Sequence, residues 1–173
     1  KAPDGKFASY SADGILNLTK DNDLSSEDFQ YIAMAYYHSG QHKKALDNFG
    51  TKLNQENWYA IGKSQHLVNG FEKALGVYTI ALNTLENLDK NQVDEVVKSV
   101  ARAKGNNYQA WKQCEALFPK YADIALYFQA KKLYFQDALG IYKKLVSQFP
   151  NSTYAPESHW FIIWDAFSKK DYK

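Results

Sequence analysis

A chain of 173 residues suits one domain or a slice of something larger, and a hydrophobic content of 45% is enough for a packed core. With 21 basic against 19 acidic residues the net charge is only +2, which argues against nucleic-acid binding, because displacing counterions from phosphate needs a basic surface. A single cysteine, Cys114, excludes an internal disulfide framework and any multi-cysteine metal site, and the apolar run Trp160–Trp164 is far shorter than the roughly 20 residues of a membrane helix.

Residues 1–24 read as an exposed lead-in, Lys1-Ala-Pro-Asp-Gly-Lys6, followed by a capping helix over 7–20 around Ile15, Leu16 and Leu18. A start at Lys1 instead of Met points to a processed or excerpted chain. Next, Phe29, Ile32, Ala33, Tyr36 and Tyr37 recur at the spacing of an amphipathic helix. Ser25 or Ser26 can cap its start, Glu27 and Asp28 suit its first turn, and Gly40 ends it. A second helix carries Ala45, Leu46, Phe49 and Leu53. The following pair repeats the pattern, with Trp58, Ile61, Gly62 and Gln65 on one helix and Ala74, Leu75, Tyr78, Ala81 and Leu82 on the other.

Further along, Val93, Val96, Val97, Val100 and Ala101 make one stripe, and Tyr108, Trp111, Leu117 and Phe118 another, with 104–107 as the turn between them. Ala138 and Tyr142 head a further helix that closes at Phe149-Pro150, and Trp160–Phe167 mark a last one. No stretch alternates apolar and polar residues for long, so the chain is all-α. Small residues at Ala33, Ala45, Gly62, Ala74 and Ala138 fall where antiparallel helices must approach closely, with large residues filling the gaps between.

The stripes also repeat. Lys-Ala-Leu recurs at Ala45 and Ala74, each time with an aromatic four residues on, and Asp137-Ala138-Leu139 supplies a third copy ending in Tyr142. The intervals suit one and then two units of about 34 residues, the length of a helix–turn–helix repeat. The residues Trp58, Ile61-Gly62, Phe71, Ala74, Tyr78 and Ala81 resemble the tetratricopeptide-repeat family, as do Tyr36, Gly40, Ala45 and Phe49 and the closing Pro150. That resemblance implies antiparallel helix pairs stacked into a right-handed superhelical solenoid over 25–173. Its units would be 25–55, 56–88, 89–120, 121–152 and an incomplete 153–173, the last continuing in a longer protein.

More narrowly, Phe149-Pro-Asn-Ser-Thr-Tyr-Ala-Pro-Glu157 is similar to junctions in repeat proteins of the bacterial cell envelope. Among these are outer-membrane assembly lipoproteins and the helical superhelix of soluble lytic murein transglycosylases. The implied compartment is the bacterial periplasm or envelope, with the cytoplasm as the alternative. In the transglycosylase case the catalytic domain would lie beyond residue 173.

Catalytic patterns are not found. His38 and His42 have the spacing of a helical zinc pair, but Gly40 marks a turn between them, and no second ligand cluster accompanies them. There is no nucleophile signature and no glycine-rich phosphate loop, and the lysine pairs read as solvated helix faces. We therefore expect no catalytic residue, cofactor or metal, and a surface that binds a protein or peptide, or peptidoglycan through a parent enzyme. In stacked helix pairs the first helices line the concave face. The resemblance places Gln30, Met34, Tyr37, Tyr59, Lys63, His66, Trp160 and Trp164 there, with Phe167 beside the last two. A co-chaperone clamp for acidic C-termini is disfavoured, because Gln30, Met34 and Ala60 stand where its residues belong.

Overall fold

The structure, a computed structural model, describes residues 24–169 together with Asp13, Gly14 and Asn17. All three early residues are helical, and the rest of the expected lead-in and capping helix lies outside the described residues. The described residues hold nine α-helices, one 3-10 turn and no strand, so they are all-α. The helices fall into two compact units, Lys1–Leu88 and Asp89–Lys173.

The first unit contains α1 (Ser26–His38), α2 (His42–Asn48), α3 (Trp58–Asn69) and α4 (Phe71–Thr84). Its start is fixed by a capping box: the Asp28 amide donates to Ser25 Oγ at 3.2 Å and the Ser25 amide donates to Asp28 Oδ2 at 2.9 Å. Its end is fixed by Gly40, whose φ of +78° lets its N–H reach the Tyr37 carbonyl at 3.0 Å while the Gln41 amide reaches Tyr36 at 2.9 Å. Ile32, Ala33, Ala35 and Tyr36 are buried, whereas Phe29, expected in the stripe, stands 39% exposed at its outer edge.

The second helix is shorter than the Leu46–Leu53 pattern suggests. α2 stops at Asn48 because Phe49 is extended and residues 50–57 take up a side-chain network in place of the helix. There Asn54 Oδ1 accepts from the Glu56 and Asn57 amides, Asn57 Oδ1 accepts from the Asn54 amide, and Asn57 Nδ2 donates to the Lys52 carbonyl. Such local bonds compete with the helical ladder. α3 and α4 pack tightly, and Gly62 is the reason. A Cβ added there would lie 2.0 Å from Tyr78 Cε1, so only glycine lets the buried Tyr78 ring sit on the α3 backbone. Trp58, fully buried, meets that ring edge-on at 6.3 Å.

The second unit contains α5 (Lys90–Ala103), α6 (Tyr108–Leu117), a 3-10 turn (Pro119–Tyr121), α7 (Ala122–Ala130), α8 (Phe135–Gln148) and α9 (Ala155–Ser168). Asp89 and Asn107 cap α5 and α6 through their side chains. The valine stripe of α5 is buried throughout, and the 104–107 turn contains Gly105 at φ +97°. Of the nine residues of α7, seven are buried, which makes it the centre of this unit. Aromatic rings tie its neighbours to it. Trp111 of α6 stacks on Phe128 at 4.6 Å, and Tyr154, just before α9, stacks on Tyr127 at 4.6 Å.

Candidate functional site

The eight residues expected on a concave face divide between the units. Gln30, Met34, Tyr37, Tyr59, Lys63 and His66 belong to the first, Trp160 and Trp164 to the second. Several of the first six hold the unit together. Gln30 donates to Glu56 at 2.9 Å and accepts from Asn54 at 3.0 Å, which ties α1 to the loop before α3. Tyr37 packs edge-on against His38 and His42, and the Lys63 ammonium lies 5.6 Å over the Tyr59 ring. Met34 is half-buried, while His66 is exposed beside Phe71. His42 Nδ1 shares a 3.2 Å hydrogen bond with the buried Ser64 hydroxyl, joining α2 to α3. Trp160 and Trp164 stand out on α9, 56% and 50% exposed.

A feature that sequence reasoning did not find is a cleft of about 550 Å³ in the second unit, a size suited to a ligand. Its walls come from the start of α5, the 3-10 turn with the first residues of α7, and the 148–154 junction between α8 and α9. Val93, Ile124, Phe149 and Pro150 give its lining apolar surface, and Lys90, Lys120, Asp94 and Asp123 bring charge to it. The junction's shape is set by short-range bonds. The Ser152 amide donates to the Phe149 carbonyl at 3.0 Å, and the Ala155 amide donates to the Ser152 carbonyl at 3.1 Å.

Both carboxylates are held by neighbours. Asp94 accepts from the Tyr154 hydroxyl and pairs with Lys98 four residues on. Asp123 accepts from the Ser152 hydroxyl at 2.6 Å. Burial, and then the bond to Asp94, push the Tyr154 hydroxyl well above the ordinary phenol range, so it stays protonated and donates. A proton-transfer role would need a group poised near neutrality. The Tyr154 hydroxyl is held far from it.

Elsewhere, Cys114 is fully buried on α6, and burial, partly offset by Lys104, raises its thiol to about 11. Glu115 is pulled the other way. Burial opposes its charge, but the Lys144 ammonium and the Gln129 amide outweigh that and hold its carboxyl below the usual range. Among the described residues, no three His, Cys, Asp or Glu side chains converge as metal ligands would, and no helix is long and apolar enough to cross a membrane. No family model, no curated protein and no solved structure matches the chain.

Proposed function

We propose that the chain is a tetratricopeptide-like helical-repeat scaffold, its hairpins stacked as a right-handed solenoid, that holds a peptide or partner protein in a bacterial envelope and catalyses no reaction itself. The helices support this by order and spacing. Two fall in each of 25–55, 56–88, 89–120 and 121–152, with one in 153–173. Small residues support it as well: Ala33, Ala45, Ala74, Ala81 and Ala138 are all buried, beside Gly62 under Tyr78.

The observation that carries the binding role is the second-unit cleft. Val93, Ile124, Phe149 and Pro150 give it apolar surface, and its carboxylates are already bonded to Tyr154, Lys98 and Ser152. A cleft that joins apolar side chains to polar groups already held by their neighbours can bind a guest with little reorganisation. In the transglycosylase reading the same slot would contact peptidoglycan, and the two readings part on the ligand.

The test screens the 173-residue chain against a peptide array and, in parallel, by pull-down on purified peptidoglycan. Thr153→Trp, at an exposed position on the wall, serves as the plug. Capture of array peptides that weakens at least tenfold in the plugged variant supports the scaffold. Pull-down on peptidoglycan alone moves the assignment to the enzyme-associated reading, and binding to neither overturns both.

A further inference from the structure

We infer that Asn69–Gly70, the corner between α3 and α4, is a modification site at which the chain deamidates through a succinimide, with water as the co-reactant. Asparagine followed directly by glycine occurs once in the sequence, at this corner. Asn69 is the last residue of α3, Gly70 turns the chain at φ +90° and ψ 169°, and α4 begins at Phe71. Both corner residues are exposed, and a Cβ built on Gly70 would meet nothing within 4 Å.

The attacking atom sets this corner apart. Deamidation needs the amide nitrogen of the residue after the asparagine, and an amide that already donates a hydrogen bond is held away from that role. After Asn48 the Phe49 amide donates to the Ala45 carbonyl at 2.9 Å. After Asn91 the Gln92 amide donates to Asp89 Oδ1 at 2.9 Å, and after Asn151 the Ser152 amide donates to the Phe149 carbonyl at 3.0 Å. The Gly70 amide donates to nothing among the described residues, because the ladder of α3 ends at Asn69 and α4 starts afresh from the Gly70 carbonyl. Glycine also leaves that nitrogen without a flanking side chain. The Asn69 carboxamide is held at one end, where Nδ2 donates to Gln65 Oε1 at 2.7 Å, an exposed bond that solvent can replace.

The steps balance without an oxidant or a reductant. The Gly70 nitrogen gives its proton to solvent base and bonds to Asn69 Cγ, the Cγ–Nδ2 bond breaks, and ammonia leaves with a proton from solvent. Water then opens the ring at either carbonyl, giving aspartate from one opening and isoaspartate from the other. Both products add a negative charge at the C-terminal end of α3, where unpaired carbonyls already carry partial negative charge. Isoaspartate also lengthens the main chain by one carbon, at a corner whose two helices meet tightly through Gly62 and Tyr78. The site therefore acts as a slow clock that loosens the first unit with age.

Ageing the whole chain in mildly alkaline buffer at physiological temperature tests this, followed by lysine-specific digestion at acid pH and mass spectrometry of the Ser64–Lys73 fragment. Labelling by an isoaspartate-specific methyltransferase measures the isoaspartate share. Asn69 in the folded chain should convert within about tenfold of its rate in the free Ser64–Lys73 peptide, since local opening of the corner is all the reaction requires. Asn91 and Asn151 should lag behind Asn69, isoaspartate should form at residue 69, and Asn69→Gln should remove the signal there. A folded-chain rate below that range would overturn the inference. So would Asn91 or Asn151 keeping pace with Asn69, or a product that is aspartate alone, the mark of direct hydrolysis without attack by Gly70.

Discussion

Replacing Gly62 gives the sharpest test of how the helices pack. An alanine Cβ at this position would sit 2.0 Å from Tyr78 Cε1, 2.7 Å from Cδ1 and 2.8 Å from Cζ, against an ordinary contact of about 3.5–4.0 Å. The ring would have to retreat by more than 1 Å, roughly, yet Tyr78 is 2% exposed and has Trp58 against it. Overpacking of this kind costs about 1–3 kcal/mol or more, while the gain in helix propensity from glycine to alanine returns only about 1. Gly62→Ala should therefore lose about 1–2 kcal/mol, and Gly62→Leu several, since further carbons enter filled space. Gly76 and Gly140 are the controls. They are exposed, mid-helix and have nothing within 4 Å of an added Cβ, so alanine there should stabilise by about 0.5–1 kcal/mol. Urea unfolding followed by far-UV circular dichroism measures all four variants. If Gly62→Ala is as stable as the wild type while Gly76→Ala behaves as expected, the close approach of α3 to α4 is wrong.

Other consequences follow from the same contacts. Asn57→Ala removes a 2% exposed side chain that accepts from Asn54 and donates to Lys52, orphaning both groups, and should cost about 1–3 kcal/mol in the same assay. Cys114 should resist an aromatic disulfide reagent in the folded chain near pH 8 and react at once in denaturant, because its thiol is buried and raised to about 11. Acid should weaken the fold. Asp28 is lowered by the Ser25 hydroxyl and amide, Glu157 by the Tyr127 hydroxyl and Lys131, and Asp165 by Lys169. Glu115 is lowered too, against its own burial. Groups that hold a proton more weakly when folded favour folding above the free carboxylate range. Their contribution is complete above about pH 5 and lost as pH falls through about 4 and below, so melting temperatures should drop there and salt should reduce the effect.

Much of the local structure was legible because it depends on neighbours in sequence. The Ser25 cap, the Gly40 stop, the α5 valine stripe and the 104–107 turn each involve residues within a few positions, and each appears where the pattern puts it. Phe29 went wrong because it lies at the edge of its stripe, where periodicity does not tell cover from exposure. α2 ran short because asparagine side chains captured the backbone after Gly50, and apolar spacing carries no signal of that competition. Gln30, expected on the groove side of α1, has an amide that joins Asn54 to Glu56, a contact that spacing along the chain does not foretell because it depends on what the next loop brings. The cleft escaped altogether. Asp94 and Tyr154 stand sixty positions apart, and Asp123 and Ser152 twenty-nine, so only folding brings their carboxylates and hydroxyls into one slot. The nearest sequence signal was the Phe149–Glu157 junction, which builds one wall of it.

In the proposed function, the cleft of the second unit holds a guest without acting on it. Nuclear magnetic resonance of the isotope-labelled chain, titrated with the best peptide from the array, tests it most directly. Amide shifts should concentrate at 90–94, 119–124 and 148–154, with the peptide recovered unchanged. Shifts confined to other helices, or a peptide returned cleaved or modified, would contradict it.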